Sequence, residues 1–241
     1  MKKAREFEFD FWDGERKYGY GGYKYIPGLL EPLAKSLISY YKLKGSSKIL
    51  DVGCGGGFFL NKFSPQHWQR TGLEIDPDTV PFAKEQFDIK VEVGTSEAMN
   101  FEDAQFDVVC FRGSFEHLVN PQNTVLEVDR VLKQGGYLYL CALPNVDSYS
   151  ANLYREKWNQ FDAKEHIFMF SVPTLQKLVS PLGFKKVRSE FFYLETPYAD
   201  VENDINRVAR DQVLVNEERR DEVNVSPPFW GNMMNVAFRK V

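Results

Sequence analysis

The sequence lacks the features that define several large classes of protein. It has only three cysteines, whose odd number favours reduced thiols and whose spacing fits no metal site. No apolar run approaches the length of about 18 residues that a membrane-spanning helix needs. The first residues also lack the apolar core of a signal peptide. These absences argue against a disulfide framework and a membrane protein, and they predict a cytoplasmic location.

An excess of positive charge is also missing. Lysine and arginine total 30 residues against 34 aspartates and glutamates, for a formal net charge of −4. A general nucleic-acid binder usually carries a basic face, so we expect no nucleic-acid partner. The chain of 241 residues is 43% hydrophobic and 15% aromatic, which suffices for the core of one large α/β domain.

Short apolar runs alternate with helical periodicity along most of the chain. Asp76 is predicted to cap a helix that begins at Pro77, and Ser171 a helix that ends before Gly183. A helix after Asn120 should turn Val125, Leu126, Val128, Val131 and Leu132 toward a sheet and end at Gly135-Gly136. The alternation predicts a parallel, doubly wound sheet. Its strands are predicted at Lys48–Val52, Trp68–Ile75, Ile89–Val93, Phe106–Phe111, Tyr137–Leu143, Phe184–Leu194 and Met233–Arg239.

Two long segments interrupt this alternation. Residues 144–170 are irregular and rich in aromatic side chains, and residues 195–228 are charged. Within the second segment, a helical stripe runs through Val201, Ile205, Val208 and Gln212 or Val213. Long connections are seldom idle in a compact domain. We therefore expect an N-terminal lid and helix over residues 1–44, followed by a core over residues 45–241 with two insertions that cover a substrate.

The most informative stretch is a glycine-rich loop that directly follows the first predicted strand. Its pattern is Asp51-x-Gly53-x-Gly55-x-Gly57, and glycines let a ligand approach the backbone closely. Ligands of open α/β sheets bind at the carboxyl ends of the strands. The dinucleotide fingerprint G-x-G-x-x-G fails, because Phe58 or Leu60 occupies the position of its third glycine. The spacing thus argues against a nicotinamide-dependent oxidoreductase, and a glycine turn without a ligand is the remaining alternative.

This pattern resembles motif I of the class I S-adenosylmethionine-dependent methyltransferases. Later motifs agree, since residues 130–136 read RVLKQGG, and Trp158 is followed by His166 and then by Gly183-Phe184. Their order is similar to that in bacterial small-molecule methyltransferases related to the ubiquinone-biosynthesis group, over residues 45–190. The resemblance implies a mostly parallel, seven-stranded Rossmann-like sheet with an antiparallel last strand. It also implies S-adenosyl-L-methionine as the cofactor.

The resemblance also implies which residues contact this cofactor. Glu74, at the end of the second strand, can accept hydrogen bonds from both ribose hydroxyls; a surface carboxylate is the alternative. The segment after the third strand would recognise adenine, although Thr95 stands where the family usually has an acid. The expected cofactor residues are Tyr18, Tyr20, Asp51, Gly53, Gly55, Gly57, Glu74, Ile75, Ser96, Glu97 and Arg112.

Tyr18 and Tyr20 belong to a tyrosine-rich segment, YGYGGYKY, near the N-terminus. Aromatic faces can contact a sulfonium cation, so we predict that this segment forms a lid over the cofactor. An aromatic tail packed on the domain surface is the alternative.

Histidine is the residue type most suited to removing a proton from a methyl acceptor near neutral pH. The chain has three histidines, and His67 is expected at the surface. His117 follows the fourth strand, and His166 lies in the aromatic insertion. We predict that both are catalytic; hydrogen bonding to the backbone and packing are their structural alternatives.

The acceptor is constrained only by motifs that are missing. No Asn-Pro-Pro-Tyr sequence follows the fourth strand, and no Asp/His cluster suggests a Mg²⁺ site. The sequence therefore predicts metal-free, in-line methyl transfer to an oxygen or nitrogen of a small molecule or sugar. Residues 201–213 could pack over the protein's own pocket or form a homodimer. A non-catalytic module that lends residues 195–228 to a partner is the alternative function.

Overall fold

The computed structural model describes residues 31–40, 43–63, 68–194 and 199–241. The chain divides between Lys44 and Gly45 into two compact units. The first unit contains helix α1, Glu31–Tyr40. The predictions for Tyr18, Tyr20, the N-terminal lid and His67 lie outside the described residues.

The second unit is built on a seven-stranded sheet. The order of its strands is β3-β2-β1-β4-β5-β7-β6. Strands β1 to β5 pair in parallel, whereas β7 runs antiparallel to both β5 and β6. The predicted doubly wound, mostly parallel sheet with an antiparallel last strand is confirmed. The strands are β1 (Lys48–Val52), β2 (Gln69–Glu74), β3 (Lys90–Val93), β4 (Phe106–Arg112), β5 (Leu132–Pro144), β6 (Phe184–Phe192) and β7 (Met233–Lys240).

Two helices of this unit begin at the capping residues that were predicted from the sequence. The Asn120 side chain accepts a hydrogen bond from the backbone N–H of Asn123, and Ser171 forms a capping box with Thr174. No helix among the described residues is both long and apolar enough to cross a bilayer. The helices are α2 (Val80–Phe87), α3 (Pro121–Val131), α4 (Tyr149–Tyr154), α5 (Val172–Val179) and α6 (Val201–Asn216).

The main core lies between the central strands and two helices. Strand β4 is buried along nearly its whole length, as a continuous apolar run predicts for a strand that is covered on both faces. Val128 of α3 and Leu175 of α5 are fully buried in this core. The core holds the carboxyl ends of β1, β2 and β4 in fixed positions, and the functional residues follow those ends.

Three local predictions for helices are wrong. Helix α2 begins at Val80, because Asp76 accepts the N–H of Asp78 in a preceding turn. Leu126 is 54% exposed, because Val125 and Val128 define the buried face of α3 and Leu126 falls outside it. Gly135 and Gly136 do not end the helix but lie within β5.

The helix predicted over residues 201–213 is present as α6, but of its predicted stripe only Val208 is buried. Val201, Ile205 and Val213 are exposed, and the buried face consists of Asp204, Val208 and Asp211. The two aspartates can be buried in this face because each accepts a hydrogen bond from a tyrosine hydroxyl. The Tyr193 hydroxyl lies 2.5 Å from Oδ2 of Asp204, and the Tyr154 hydroxyl lies 2.9 Å from Oδ2 of Asp211.

Candidate functional site

The glycine loop after β1 adopts a backbone conformation that glycine favours. Gly53, Gly55 and Gly57 have φ values of +73°, +48° and +78°. A Cβ atom at Gly53 would lie 2.7 Å from Cβ of Ser114, and one at Gly57 would lie 3.1 Å from Cβ of Ala83. A Cβ atom at Gly55 would meet no described atom within 4 Å. The outer two glycines therefore let the loop pack closely, and Gly55 leaves open space above the backbone.

Glu74 connects the end of β2 to this loop. Its Oε2 accepts the N–H of Gly55 at 2.8 Å, while its Oε1 accepts the N–H groups of Ile75 and Asp76 at 2.9 and 3.1 Å. An ionised carboxylate offers about four acceptor positions. Glu74 can therefore fix the loop and still accept a hydroxyl from a ligand. Its contact with ribose stays a prediction.

Asp51 is enclosed in β1, where only 2% of its surface is exposed. Burial raises the pKa of this carboxyl to about 7, although a hydrogen bond from the Cys110 thiol and the positive charge of Arg112 both act to lower it. Arg112 ends β4, the strand next to β1. A cationic ligand above the loop would favour the ionised form of Asp51 in the same way as Arg112 does.

Ser96 and Glu97 are tied to the start of α3. The Ser96 hydroxyl lies 2.8 Å from that of Thr124, and Oε1 of Glu97 accepts the N–H of Asn120 at 3.4 Å. Both side chains therefore already have protein partners. Ile75 and Val93 are more open, at 69% and 55% exposure. Val93 ends β3 beside Glu74, and the sequence did not single it out because an exposed valine carries no motif.

The two predicted histidines meet at the end of β4. Nδ1 of His117 lies 2.7 Å from the carbonyl oxygen of Glu165, and Nδ1 of His166 lies 2.8 Å from that of Gln160. The two ring centroids are 5.1 Å apart. The N–H of Phe168 also donates to the carbonyl of Glu116 at 3.1 Å, which holds the aromatic insertion against this end of the sheet.

These hydrogen bonds define the chemistry of both rings. A carbonyl oxygen can only accept, so in the neutral form of each ring Nδ1 carries the proton and Nε2 carries the lone pair. Burial lowers the pKa of His117, although the carbonyl of Glu165 acts to raise it. His117 is therefore neutral at pH 7 and able to accept a proton.

Glu116 is a third member of this group, and it was not among the residues predicted from the sequence. Its side chain is only 3% exposed, and its Oε1 lies 3.9 Å from Nε2 of His117. Its Oε2 is buried without a hydrogen-bond partner among the described residues. Burial raises the pKa of this carboxyl to about 7. The adjacency of an acid and a histidine directly after a central strand was the available signal.

Ser114 joins the glycine loop to the segment that carries Glu116 and His117. Ser114, two positions before Glu116, contacts the loop at Gly53 and donates its hydroxyl to the carbonyl of Val52 at 2.7 Å. A doubly wound sheet with a glycine loop after β1 and a buried carboxylate at the end of β2 defines an α/β protein of the nucleotide-binding class.

The particular family follows from comparison with known proteins. A family model described as a methyltransferase domain matches residues 24–189. The chain belongs to this family, within the class I S-adenosyl-L-methionine-dependent methyltransferases, whose cofactor is S-adenosyl-L-methionine.

Individual relatives agree with the family but match only in part. The ubiquinone biosynthesis O-methyltransferase of Maricaulis maris is 27% identical over 60% of this chain and 61% of its own length. The uncharacterized methyltransferase YcgJ of Bacillus subtilis is 30% identical over 47% of this chain and 46% of its own length. The chain thus spans about half to three-fifths of these relatives.

Solved structures support the fold. The crystal structure of YcgJ has a TM-score of 0.59 at 20% identity, covering 87% of this chain and 96% of that chain. The cyclase SpnF has a TM-score of 0.60 at 16% identity, covering 87% of this chain and 80% of that chain. A protein named a cyclase shares this fold, so the fold alone does not define the reaction.

The residues present fit S-adenosyl-L-methionine. The open space above Gly55 admits a ligand against the backbone, and Glu74 retains acceptor capacity toward hydroxyl groups. Arg112 offers a guanidinium that suits a carboxylate, and its positive charge acts on the enclosed Asp51. These groups match a ligand that carries hydroxyl, carboxylate and cationic parts.

Proposed function

We propose that this protein transfers a methyl group from S-adenosyl-L-methionine to an oxygen or nitrogen of a small molecule or sugar. The observation that carries the proposal is the meeting of His117 and His166 beside the glycine loop, with ring centroids 5.1 Å apart. A ligand in the loop and an acceptor at the histidines would occupy adjacent parts of one crevice. Methyl transfer requires this adjacency, because the reacting atoms must be aligned and held together.

The donor side of the site is assigned to the glycine loop and its neighbours. S-adenosyl-L-methionine supplies an electrophilic methyl group on a sulfonium. Gly55 leaves room for it, Glu74 accepts its ribose hydroxyls, and Arg112 pairs with its carboxylate. Asp51 contributes negative charge from below the loop. Ile75 and Val93 provide exposed apolar surface near the ends of β2 and β3 for the adenine ring, while Ser96 and Glu97 fix the backbone that borders it.

The acceptor side is assigned to His117 and His166. A hydroxyl acceptor must lose its proton as its oxygen attacks the methyl carbon. The Nε2 atoms carry the lone pairs that can take this proton, because each Nδ1 is bound to a backbone carbonyl. The two histidines thus control the acceptor's proton, and their hydrogen bonds hold both rings in one orientation.

Aromatic side chains near the same edge of the sheet support a small acceptor with a ring or an apolar face. The ring centroids of Tyr193 and Trp230 lie 4.3 Å apart, and those of Phe229 and Trp230 lie 5.2 Å apart. Trp230 is 40% exposed, and it precedes β7 where that strand meets the end of β5. Aromatic faces stack on sugars and flat rings.

The proposal is tested by measuring turnover. The protein is incubated with S-adenosyl-L-methionine and a panel of small metabolites and sugars, and formation of S-adenosylhomocysteine is measured. We expect turnover with at least one acceptor and a loss of about 10²-fold or more when His117 and His166 are both replaced by asparagine. His67→Asn, the third histidine, is the matched control.

Two results would contradict the proposal. Failure to bind S-adenosyl-L-methionine in calorimetry would remove the donor assignment. Binding without turnover of any acceptor would favour a non-catalytic module, whose exposed residues Val201, Ile205 and Val213 on α6 would then be available to a partner. The homodimer predicted through residues 201–213 stays a prediction.

A further inference from the structure

We propose that Glu116, His117 and His166 form a binding site for one divalent cation of the zinc class. The inference rests on the proposed function and concerns how the same site removes the acceptor's proton. In this arrangement the two Nε2 atoms would hold the ion instead of accepting the proton themselves, in place of the metal-free route that the sequence predicted. One donor atom from each of these side chains lies within 4.8 Å of those of the other two. Two imidazoles and one carboxylate form a donor set that zinc commonly takes at catalytic sites.

The spacing of the donors is close to what a bound ion needs. Metal–ligand distances of about 2.0–2.2 Å place neighbouring donors of a tetrahedral ion roughly 3.4 Å apart. Oε1 of Glu116 lies 3.9 Å from Nε2 of His117. The three donor atoms all lie within 4.8 Å of one another, so each pair would have to close by at most about 1.4 Å to reach coordinating distance.

Both histidines have the outer hydrogen bonds that are typical of metal ligands. Each Nδ1 donates to a backbone carbonyl, of Glu165 for His117 and of Gln160 for His166. This bond fixes the tautomer that presents Nε2 as the donor, and it makes that nitrogen more basic. The arrangement appears twice, on two rings that lie 5.1 Å apart.

The buried carboxylate provides independent evidence. Oε2 of Glu116 is enclosed and has no hydrogen-bond partner among the described residues. A buried carboxylate oxygen without a partner is costly, because it loses its hydration and gains nothing in return. A cation held between Glu116 and the two imidazoles would supply the missing partner.

Three protein ligands leave a fourth position of a tetrahedral ion open, which is the arrangement of catalytic zinc sites. An acceptor hydroxyl in that position would have its pKa lowered by the ion and would release its proton to water. The oxygen then forms a bond to the methyl carbon, and the carbon–sulfur bond breaks with its electron pair remaining on sulfur. The products are the methyl ether, S-adenosylhomocysteine and a proton.

The test is a metal titration of the full-length protein after treatment with a chelator. Zn²⁺ and Co²⁺ are titrated separately, the bound metal is counted by mass spectrometry, and the visible spectrum of bound Co²⁺ is recorded. We expect one ion per chain and an intense Co²⁺ absorption typical of tetrahedral coordination. Glu116→Gln and His166→Asn should each weaken binding at least about tenfold, since even the loss of an outer partner costs 10- to 100-fold.

Matched controls separate this site from adventitious binding. Glu156→Gln removes an exposed carboxylate on the same insertion, and His67→Asn removes the remaining histidine; both should bind like the unmodified protein. Equal affinity in the control and site variants would overturn the inference. The Co²⁺ spectrum of the unmodified protein decides the question even where a site variant does not fold, because an octahedral spectrum or no binding also overturns it.

Activity distinguishes this inference from the proposed function. Turnover should fall at least about tenfold after a chelator has removed the metal from the protein. It should return when Zn²⁺ or Co²⁺ is added back. Undiminished turnover without metal would overturn the cation site and leave methyl transfer by the two histidines standing. If neither the metal-free nor the metal-loaded protein bound S-adenosyl-L-methionine, the proposed function would be contradicted. The number of metal ions bound per chain would still test the cation site.

Discussion

At the scale of single residues, Gly55 differs from its neighbours in the loop. Gly53 and Gly57 are required by close packing against Ser114 and Ala83, whereas Gly55 faces open space. Its φ of +48° is nevertheless a conformation that other residues adopt only with strain. The sequence pattern could identify the loop but could not separate these roles, because all three positions are simply glycine.

Gly55→Ala is predicted to weaken S-adenosyl-L-methionine binding by about tenfold or more. The new methyl group would occupy the space that the ligand uses, and left-handed backbone at alanine costs about 1 kcal/mol. Gly231→Ala is the matched control, because Gly231 has a φ of +75° and also no described neighbour within 4 Å of a Cβ. Calorimetry should show weaker binding only for Gly55→Ala, while thermal melting shows similar destabilisation of both. Equal affinities would remove Gly55 from the site.

Asp51 is predicted to make cofactor binding depend on pH. Burial raises its pKa to about 7, so it loses its charge below that pH, and the attraction to a sulfonium disappears with the charge. Affinity should fall as pH decreases from 8 to 5, by at most about tenfold per unit. Asp51→Asn should bind more weakly at pH 8 and with a flatter profile. Parallel pH profiles of the two proteins in calorimetry would contradict this assignment.

The same carboxyl links stability to pH in the ligand-free protein. Burial raises its pKa in the folded state above the ordinary value of 3.8, so the folded state binds more protons than the unfolded state between about pH 4 and 7. Stability relative to Asp51→Asn should therefore rise as pH falls from 8 to 5. Denaturant unfolding at a series of pH values measures the difference between the two proteins, and a constant difference would argue against burial as the cause.

At the scale of elements, α6 shows what a sequence pattern cannot reveal. Its periodicity correctly predicted a helix, but the residues that face the protein are Asp204 and Asp211 with Val208. Burial of an aspartate becomes tolerable only when a donor is present, and the donors Tyr193 and Tyr154 come from other segments. In α3, by contrast, Asn120 and Pro121 are local signals, and that helix begins where the sequence predicted.

Tyr193→Phe is predicted to destabilise the protein by about 1–3 kcal/mol. The change deletes the hydroxyl that donates to the buried Oδ2 of Asp204, which then keeps the N–H of Asp200 as its one donor among the described residues. Tyr149→Phe is the matched control, since the Tyr149 hydroxyl bonds to Gln212 at an exposed position. Denaturant unfolding should show a loss of less than about 0.5 kcal/mol for this control. Equal losses would mean that the buried aspartate does not anchor α6.

At the scale of the whole molecule, the order of strand and helix signals predicted the architecture, because a parallel sheet requires a crossover between neighbouring strands. The closeness of the glycine loop and Glu74 was predictable for the same reason, since Gly53, Gly55 and Glu74 follow strand ends that must share one edge. The meeting of the two histidines was less predictable. Sequence placed His117 at that edge, but its meeting with His166 depends on how residues 144–170 fold back.

Ligand binding is predicted to stabilise the whole protein. A ligand that binds only the folded state adds about 2.7 kcal/mol at a concentration of 100 times its dissociation constant. S-adenosyl-L-methionine and S-adenosylhomocysteine should therefore raise the melting temperature, whereas NAD should not, because the loop lacks the dinucleotide spacing. A rise in melting temperature with NAD alone would favour a nucleotide-dependent oxidoreductase over a methyltransferase. Thermal scans at equal concentrations of the three compounds make the comparison.

The position of β7 sets an order of events when the chain folds. β7 follows β6 in sequence but lies between β5 and β6 in the sheet, so β6 has no strand partner until β7 arrives. Strands β1 to β5 pair only with one another and with β7, so their parallel part of the sheet can assemble before β7 forms. Pulsed hydrogen exchange should therefore protect the amides around Gly53 and Glu74 before those of β6. A refolding molecule would therefore pass through a stage at which the glycine loop and Glu74 are in place but β6 has not yet joined the sheet.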